Sequence, residues 1–372
     1  MTLYIGLMSG TSLDGVDGVL IDFGSTQGPP ITLRAHHHQP FPAALRADLL
    51  ALNSPGDNEL QRAELAANAV ARCYAEVVKS LLHVNAVRAR EVRAIGAHGQ
   101  TVRHRPGEFD GTGFTIQLLN GALLAELTGI DVVCDLRRRD LAAGGQGAPL
   151  APGLHAALLA APGEARAVLN LGGIANLTVL GADGTVLGFD CGPANALLDG
   201  WCQRHRGQAF DAGGRWGASG QVVEPLLAAC LGDPFFSQLP PKSTGRDRFN
   251  LAWLDALVAR HAPAAAAVDV QATLAALTVD SVVQDMQRHA SRTSLLLVCG
   301  GGAHNAQLMH GLATQLPALQ VTTTAAFGLP VDQVEGAAFA WLAQRRIEQL
   351  PGNVVAVTGA RGERVLGAVC LA

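Results

Sequence analysis

The sequence is poor in lysine and low in charge overall. Only Lys79 and Lys242 are lysines, so 25 of the 27 basic residues are arginines, and charged residues make up 16% of the 372 positions. Because the formal net charge is −4, no basic field indicates nucleic-acid binding. Hydrophobic residues reach 49%. Disorder needs low hydrophobicity and high net charge, so this composition predicts folded domains.

Long apolar runs and paired cysteines are also missing. The most apolar stretches, 264–283 and 295–299, are interrupted or bounded by polar residues or glycine, so neither predicts a membrane span of about 18 apolar residues. Residues 1–10 lack the basic start and the cleavage site of a signal peptide. The seven cysteines are scattered without a CxxC pair. This pattern predicts reduced thiols and a cytoplasmic protein.

Two common nucleotide-binding motifs are absent as well. No GxxxxGK[ST] occurs, which excludes a P-loop, and no GxGxxG follows the first predicted strand. The second absence argues against a nicotinamide enzyme of the dinucleotide-binding type.

Glycine, in contrast, is abundant, with 43 residues that cluster next to strand-like runs. Two such runs flank a Gly/Ser/Thr/Asp turn at 9–17, which predicts a β-hairpin. After a connector at 161–166, a second pair of strands flanks a turn at Gly172 and Gly173. A third block, 298–305, predicts a strand, three glycines and a helix. The repeated hairpin indicates two similar α/β domains that hold a nucleotide.

The length also suggests about two domains at roughly 150 residues each. We place them at 1–163 and 164–372, with the helix over 335–350 as a candidate addition to the first. The periodicity predicts the principal helices at 59–84, 121–128, 194–206, 270–290 and 331–350, and an extra strand at 354–357.

The first glycine-rich turn offers groups that bind phosphate oxygens. Its glycines free backbone N–H groups, and Thr11 and Ser12 add hydroxyls. Asp14 and Asp17 are candidate ligands of Mg²⁺. The alternative is an ordinary hairpin with Ser/Thr/Asp turn chemistry, and the sequence leaves both interpretations open.

Asp190 is the candidate general base, because it closes a predicted strand and is followed by Cys-Gly-Pro-Ala-Asn. The alternative is a helix N-cap. His98 and Gln100 are candidates for contact with a polyhydroxy ligand, although His98 is equally explained as a satisfied turn histidine. Arg137 suits a carboxylate, whereas a run of three arginines is more often a solvated surface. Glu335 is either a ligand group or a first-turn residue that favours the helix dipole.

Several of these motifs together resemble the bacterial anhydro-N-acetylmuramic acid kinases. The resemblance runs from Leu3 to about Leu342. Its motifs lie at 5–17, 99–101, 142–149, 170–176, 188–190, 242–246 and 300–302. That family belongs to the superfamily of sugar kinases, heat-shock chaperone ATPases and actin.

The resemblance implies two ribonuclease H-like (actin-like ATPase) α/β domains around a central nucleotide cleft. It also implies an ATP- and Mg²⁺-dependent kinase that converts 1,6-anhydro-N-acetylmuramic acid into N-acetylmuramic acid 6-phosphate in peptidoglycan recycling. A homodimer is expected from the family alone, and neither nucleic acid nor membrane is an expected partner.

The resemblance and the turn chemistry together assign roles to individual residues. Asp190 is the expected catalytic base, and Asp14 the expected Mg²⁺ ligand. The expected sugar contacts are His98, Gln100, Arg137 and Glu335. The expected nucleotide-binding residues are Gly10, Thr11, Ser12, Leu13, Asp14, Gly15, Val16, Asp17, Gly172, Gly173, Gly300, Gly301, Gly302 and Asn305.

The sequence departs from the family pattern at three positions. Cys191 replaces a threonine and loses its hydroxyl donor, Ala194 replaces a glycine, and His304 replaces an arginine. The expected base and the turn glycines are present, so we expect activity to be retained. The open alternatives are another sugar or carboxylate kinase of the superfamily, a chaperone-like or actin-like ATPase, and a non-catalytic nucleotide-binding sensor.

Overall fold

The computed structural model describes residues 2–10, 12–24, 31–246 and 248–372. Within this part, the chain forms two compact units, one of residues 1–158 with 333–372 and the other of residues 159–332. Each unit contains one β-sheet. The predicted division into two α/β domains therefore agrees with the structure.

The strands are short and alternate with helices along much of the chain. They are β1 (Leu3–Ser9), β2 (Gly15–Asp22), β3 (Thr32–Pro40), β4 (Val92–Pro106), β5 (Gly113–Leu118), β6 (Val132–Cys134), β7 (Arg166–Leu171), β8 (Ile174–Leu180), β9 (Val186–Pro193), β10 (Leu295–Cys299), β11 (Gln320–Thr323) and β12 (Ala368–Cys370).

The helices range from one turn to seven turns. They are α1 (Ala43–Ala51), α2 (Glu59–Val84), α3 (Gly121–Thr128), α4 (Arg138–Ala142), α5 (Ala151–Leu159), α6 (Asn195–Arg206), α7 (Glu224–Leu231), α8 (Leu251–His261), α9 (Ala267–His289), α10 (Ala306–Gln315), α11 (Val334–Ile347) and α12 (Val355–Thr358).

The two sheets share one topology. In the first unit the order is β12-β6-β4-β1-β2-β3, with β5 paired to β4; β1, β2 and β3 are antiparallel, whereas β4 is parallel to β1 and β6 to β4. In the second unit the order is β11-β10-β7-β8-β9, with the same antiparallel triplet and two parallel strands. This ribonuclease H-like arrangement in each unit confirms the predicted fold class.

Each sheet is covered by a long amphipathic helix. In the first unit, α2 buries apolar residues at helical spacing, among them Val70, Tyr74 and Val77, in the core that also contains β1 and β2. In the second unit, α9 buries a wider face, including Val270 and Leu274, against β7 to β9. The 3.6-residue periodicity of the apolar positions explains why both helices were predictable.

The helix α11 lies on the first sheet rather than on the second. A Cβ at Gly6 would collide with the carbonyl oxygen of Gly336, and a Cβ at Gly96 with that of Phe339. Only glycines in β1 and β4 therefore let the helix backbone approach the strands this closely.

The end of the chain extends the first sheet. β12 pairs with β6 in antiparallel register, so residues 333–372 belong to the first unit. The predicted second domain, 164–372, therefore differs from the second unit, 159–332. From the sequence, only the candidate helix at 335–350 was placed with the first domain. The strand β12 has three residues, which is too few for a detectable hydrophobic period.

The predicted strand at 354–357 is wrong. These residues lie at the one-turn helix α12, although valine favours strands. The side chains of Asn353 and Thr358, on either side of this segment, each donate a hydrogen bond of 2.8 Å to Asp140 Oδ1. Tertiary contacts with a buried carboxylate thus override the local propensity.

Within the described residues, none of the helices combines the length and the apolar character that crossing a membrane requires.

Candidate active site

The first glycine-rich turn connects β1 to β2 as predicted. Leu13 has a left-handed backbone with φ 57°, its amide donates to the carbonyl of Gly10 at 3.2 Å, and its side chain is buried in the core. Ser12 and Asp14 are exposed, and the Ser12 hydroxyl donates to Asp14 Oδ1 at 2.8 Å. The anchored Leu13 therefore holds a turn whose polar side chains face solvent. Thr11 lies outside the described residues.

The last three predicted phosphate-binding residues of this segment lie in β2 and contact the sheet. Val16 is fully buried, and a Cβ at Gly15 would collide with the backbone of Gln39 in β3. Asp17 Oδ1 lies 3.0 Å from His36 Nε2 and 3.1 Å from His38 Nδ1. Among the described residues of the turn, Ser12 and Asp14 are exposed to solvent, with the half-buried Gly10 beside them.

The base of this turn is tied to β4. The buried Gln100 donates from Nε2 to the carbonyl of Gly10 at 3.0 Å. Ser9 Oγ donates to the carbonyl of Gly99 at 3.1 Å and lies 2.8 Å from the Tyr74 hydroxyl. Gln100, a predicted sugar contact, is therefore engaged in holding the first glycine-rich turn.

His98 and Arg137 form a direct pair in the first unit. Arg137 Nε and Nη2 lie 3.1 and 2.9 Å from His98 Nε2. Because a guanidinium only donates, Nε2 accepts and the ring proton lies on Nδ1, 3.3 Å from the carbonyl oxygen of Ser9. Burial has the largest effect on the pKa of His98 and the nearby Arg137 guanidinium the second largest, and both hold this pKa well below its usual value. His98 is therefore a neutral, oriented imidazole at neutral pH.

Of the three arginines at 137–139, only Arg137 is held in place by short hydrogen bonds. Arg138 and Arg139 are exposed, as expected for a solvated run. Arg137 Nη1 also donates to the carbonyl of Gly147 at 2.8 Å. Burial lowers its pKa to about 10, opposed by Glu335 and Asp140, so it remains a cation. Glu335 lies in the first turn of α11, close enough to act on this charge.

The second glycine turn, between β7 and β8, has a different use. The carbonyl of Gly173 accepts hydrogen bonds from the amides of Ala194 and Ala196, at 3.0 and 3.1 Å, and that of Gly172 from Asn195 at 3.1 Å. These amides begin α6, and the first amides of a helix lack partners within it. The turn therefore caps α6 without a side chain at Ala194.

Asp190 lies inside β9, which continues to Pro193; the expectation that it ends a strand is therefore wrong. The N-cap position of α6 is Ala194, so capping does not explain Asp190 either. Its backbone amide donates to the carbonyl of Lys242 at 3.0 Å, and its Oδ2 accepts from the amide of Thr244 at 2.9 Å. Burial raises the pKa of this half-buried carboxyl to about 7, against the opposing effects of Thr244 and Lys242.

A buried ion pair behind Asp190 was not predicted. The ammonium of Lys242 lies 3.0 and 2.9 Å from the two carboxylate oxygens of Asp285 in α9, and both side chains are almost fully buried. The available signal was that Lys242 is one of only two lysines. The sequence contains no comparable signal for Asp285, because Lys242, its partner, is distant along the chain.

The three departures from the family pattern have local explanations. Cys191 is fully buried and lies close enough to Asp285 to act on the pKa of that carboxyl. The backbone amide of Ala194 donates to the carbonyl of Gly173 at 3.0 Å. His304 Nε2 lies 2.8 Å from Asp332 Oδ2.

The triple glycine follows β10. Gly300 has φ 78°, and a Cβ there would collide with Asn170. Gly302 is buried against Leu171, whereas Gly301 is exposed. Asn305 caps α10, because its Oδ1 accepts from the amides of the second and third residues of the helix at 3.0 and 3.2 Å. Its amide oxygen is therefore engaged in this cap.

Within the described residues, no cluster of three or more His, Cys, Asp or Glu side chains could hold a metal ion. A Mg²⁺ ion that binds together with phosphates needs only one or two protein carboxylates. The exposed carboxylate of Asp14 has the oxygen donors that this ion prefers.

A family model described as anhydro-N-acetylmuramic acid kinase matches residues 2–372. The chain belongs to this family. The anhydro-N-acetylmuramic acid kinase of Variovorax paradoxus (strain S110) is 59% identical to it, over 99% of this chain and 98% of the relative. The enzyme of the same name from Cupriavidus metallidurans is 57% identical, over 99% and 97%.

Among solved structures, the activator of the 2-hydroxyisocaproyl-CoA dehydratase from Clostridium difficile is similar over 94% of this chain and 97% of that chain. Its TM-score is 0.49 and its sequence identity 12%.

Membership of the anhydro-N-acetylmuramic acid kinase family confirms the resemblance found in the sequence and the expectation of a phosphotransferase. The roles of individual site residues stay predictions.

Proposed function

We propose that the protein uses ATP to open 1,6-anhydro-N-acetylmuramic acid with water and to phosphorylate its O6, giving N-acetylmuramic acid 6-phosphate and ADP. The observation that carries this proposal is the placement of the Asp190 carboxyl, which accepts a hydrogen bond from the Thr244 amide at 2.9 Å and whose pKa burial raises to about 7. A general base works best when its pKa lies near the operating pH. The family supplies the substrate class.

The proposed reaction couples two bond changes at O6. The oxygen of water bonds to C1 as the C1–O6 bond breaks, and the electron pair of that bond stays on O6. O6 then bonds to the γ-phosphorus, while the bond from this phosphorus to the departing ADP breaks. Asp190 takes one proton of the water, and the other remains on the new C1 hydroxyl.

This scheme explains why one carboxylate suffices. Hydrolysis of a glycoside usually needs a base for the water and an acid for the leaving oxygen. Here the leaving oxygen takes the phosphoryl group in place of a proton. Asp190 is held by the amide of Thr244, which orients its carboxylate.

In the first unit, the exposed turn at Gly10, Ser12 and Asp14 is the proposed phosphate site. In the second unit, the proposed nucleotide-binding residues are Gly172, Gly173 and the triple glycine. Asp14 would hold Mg²⁺, which neutralises charge on the phosphates when bound. Backbone N–H groups freed by the turn would bind the phosphate oxygens. Gln100 holds the turn in shape through the carbonyl of Gly10.

The paired Arg137 and His98, with Glu335, are the proposed contacts of the sugar. Arg137 remains a cation at neutral pH, since its pKa is about 10, and the muramic acid carries a carboxylate that an arginine can bind in two-point fashion. His98 orients the Arg137 guanidinium through its Nε2, and Glu335 offers hydrogen bonds to hydroxyl or amide groups of the sugar.

We further propose a cytoplasmic homodimer that acts in peptidoglycan recycling. The described cysteines are all free thiols, which is the pattern of a reducing compartment. The homodimer rests on the resemblance to the family.

The test is phosphorus-31 NMR of the protein with Mg·ATP and either the anhydro sugar or N-acetylmuramic acid, which has a free O6. We expect a 6-phosphate signal, one per ADP, from the anhydro sugar alone. Phosphorylation of the free sugar alone would identify an ordinary sugar kinase. ATP binding without turnover of either compound would identify a sensor.

A further inference from the structure

The loop at 241–246 holds Asp190 from two sides. The carbonyl of Lys242 accepts from the backbone amide of Asp190 at 3.0 Å. Two residues later, the amide of Thr244 donates to Asp190 Oδ2 at 2.9 Å. The first bond fixes the backbone of Asp190 and the second orients its carboxylate, so the conformation of this loop determines where the carboxylate lies.

The loop itself is anchored by one side chain. The ammonium of Lys242 contacts both oxygens of Asp285, with side chains 1% and 2% exposed. It also lies 4.9 Å from the centre of the Phe235 ring and 5.7 Å from that of Phe189. A buried lysine that lost its carboxylate would be strongly disfavoured, so the pair fixes the loop to α9.

Cys191 connects the same network to the strand of Asp190. The buried Cys191, next to Asp190 in the chain, lies close enough to Asp285 to act on the pKa of that carboxyl. The side chain of Asp190 is not part of the ion pair, whereas its backbone amide is bonded to Lys242, one member of that pair.

We propose that the buried pair of Lys242 and Asp285 positions the catalytic base: it anchors the loop at 241–246, and the loop holds Asp190 through Lys242 O and Thr244 N. Lys242 and Asp285 are positioning residues, since neither is proposed to touch substrate. The inference rests on the proposed function of Asp190.

Several charged or titratable side chains lie around Asp190, and a test must separate their effects on its ionisation. Cys191 lies on its own strand, Lys242 on the loop, and Asp285 and His289 on α9, where His289 Nε2 lies 4.0 Å from Asp285 Oδ1. Of these, Lys242 acts on Asp190 directly and favours its ionised form. Removal of the pair takes away the charge of Lys242, which favours ionised Asp190, together with the opposite charge of Asp285 and the anchor of the Thr244 amide. Loss of the Thr244 hydrogen bond favours protonated Asp190.

The experiment replaces the pair by neutral side chains in Lys242→Met/Asp285→Asn, in which the asparagine keeps nearly the size and shape of the aspartate. The matched control is Arg204→Met/Asp255→Asn, which removes an exposed ion pair elsewhere in the second unit. The first readout is kcat against pH, and the second is carbon-13 NMR titration of the Asp190 carboxyl, assigned with Asp190→Asn.

We expect the pH at which kcat falls on the acidic side, and the pKa measured for Asp190, to rise together by about one unit. At pH values below this fall, a shift of one unit lowers kcat about tenfold. At pH 9 we expect kcat to recover to within about threefold of the wild type. The control should keep the wild-type profile. A purely structural role would lower kcat by one factor at all pH values.

An unmoved Asp190 titration in the folded double variant would overturn the inference. If that variant does not fold, Lys242→Met/Asp285→Leu takes its place with the same expected shift. The NMR titration needs no substrate, so it can be measured even if the wild-type protein makes no product. A shifted Asp190 titration in the double variant would then support the positioning role, while the inactive wild type would contradict the proposed function.

Discussion

The two glycine turns that open the two units differ in what their backbone contacts. Between β1 and β2, the turn at residues 10–14 is long and carries exposed side chains, and its carbonyl at Gly10 is held by Gln100 from the neighbouring strand. Between β7 and β8, Gly172 and Gly173 form a tight turn whose carbonyls accept the first amides of α6.

This difference indicates that one repeated hairpin has acquired two roles. In the first unit the turn is open and supplies hydroxyl and carboxylate groups, as a site for phosphates and a cation would require. In the second unit the turn stabilises the start of α6, and Asp190, the proposed general base, lies further along, on β9. We therefore expect substitutions in the first turn to change nucleotide or metal affinity, and substitution of Asp190 to change the chemical step.

The largest effect should come from Asp190→Asn. We expect kcat to fall by about 10²- to 10⁴-fold, because general-base catalysis contributes that much, while the dissociation constant of ATP stays the same. Steady-state kinetics and calorimetry measure the two quantities. Asp183→Asn, at the exposed turn between β8 and β9, is the matched control and should keep wild-type kcat.

The same variant should not lose stability. The folded-state pKa of Asp190, about 7, lies above its usual value of 3.8, so its ionisation weakens folding progressively between those two pH values and most strongly above pH 7. Thermal unfolding at pH 8 should give a Tm at least equal to that of the wild type. A clearly lower Tm would show that the activity loss reflects misfolding.

The next effect is the pH dependence of the wild type. Because Asp190 must be ionised to accept a proton, kcat should fall below about pH 7 by tenfold per unit, which is about 100-fold at pH 5. A pH–rate profile with saturating ATP checks this. A rate that stays constant from pH 8 to pH 5 would mean that a group of lower pKa is the base.

Arg137→Lys should act on the sugar and leave the nucleotide unaffected. A lysine cannot reach both His98 and the carbonyl of Gly147, which Arg137 contacts together. We therefore expect KM for the sugar to rise by about 10- to 100-fold, with KM for ATP unchanged. Arg139→Lys, at an exposed position of the same run, is the control. Equal behaviour of the two variants would remove Arg137 from the sugar site.

Asp14→Asn should raise the Mg²⁺ concentration that gives half-maximal rate by about tenfold, because the amide is a weaker ligand for this ion than a carboxylate. Titration of activity with Mg²⁺ at fixed ATP measures it. Asp57→Asn, at an exposed position in the same unit, should leave the titration unchanged. No change in Asp14→Asn would assign the ion to other ligands.

The smallest effect should come from Gly173→Ala. The new Cβ would lie 3.6 Å from the Cβ of Ala196, which is ordinary contact, so the free energy of unfolding should change by less than about 0.5 kcal/mol. If phosphates approach this turn closely, the methyl group should raise KM for ATP about two- to fivefold. An unchanged KM would confine nucleotide binding to the other glycine blocks and sharpen the contrast between the two turns.

Elements with a clear period or glycine punctuation were predictable from the sequence. The spacing of apolar residues located α2 and α3 at their observed bounds, and glycines between apolar runs located both hairpins. The helix α12 was not predictable, because distant contacts with Asp140 decide it.

The same limit applies to the site. Sequence motifs identified Asp190, His98 and Arg137 as candidates, but the direct contact of His98 with Arg137 joins residues 39 positions apart. The pair of Lys242 and Asp285 joins residues 43 positions apart. No spacing rule along the chain reports such contacts, since the sheet and its helices create them.

The most direct test of the account is the reaction with 1,6-anhydro-N-acetylmuramic acid and Mg·ATP in ¹⁸O-water, followed by mass spectrometry within minutes. Product incubated alone in the same water corrects for exchange at C1. If water attacks C1 with Asp190 as the base, the product carries one ¹⁸O at C1 and none in the phosphoryl group, and Asp190→Asn forms no product. A product without ¹⁸O at C1, or one that Asp190→Asn forms at the wild-type rate, would contradict this mechanism.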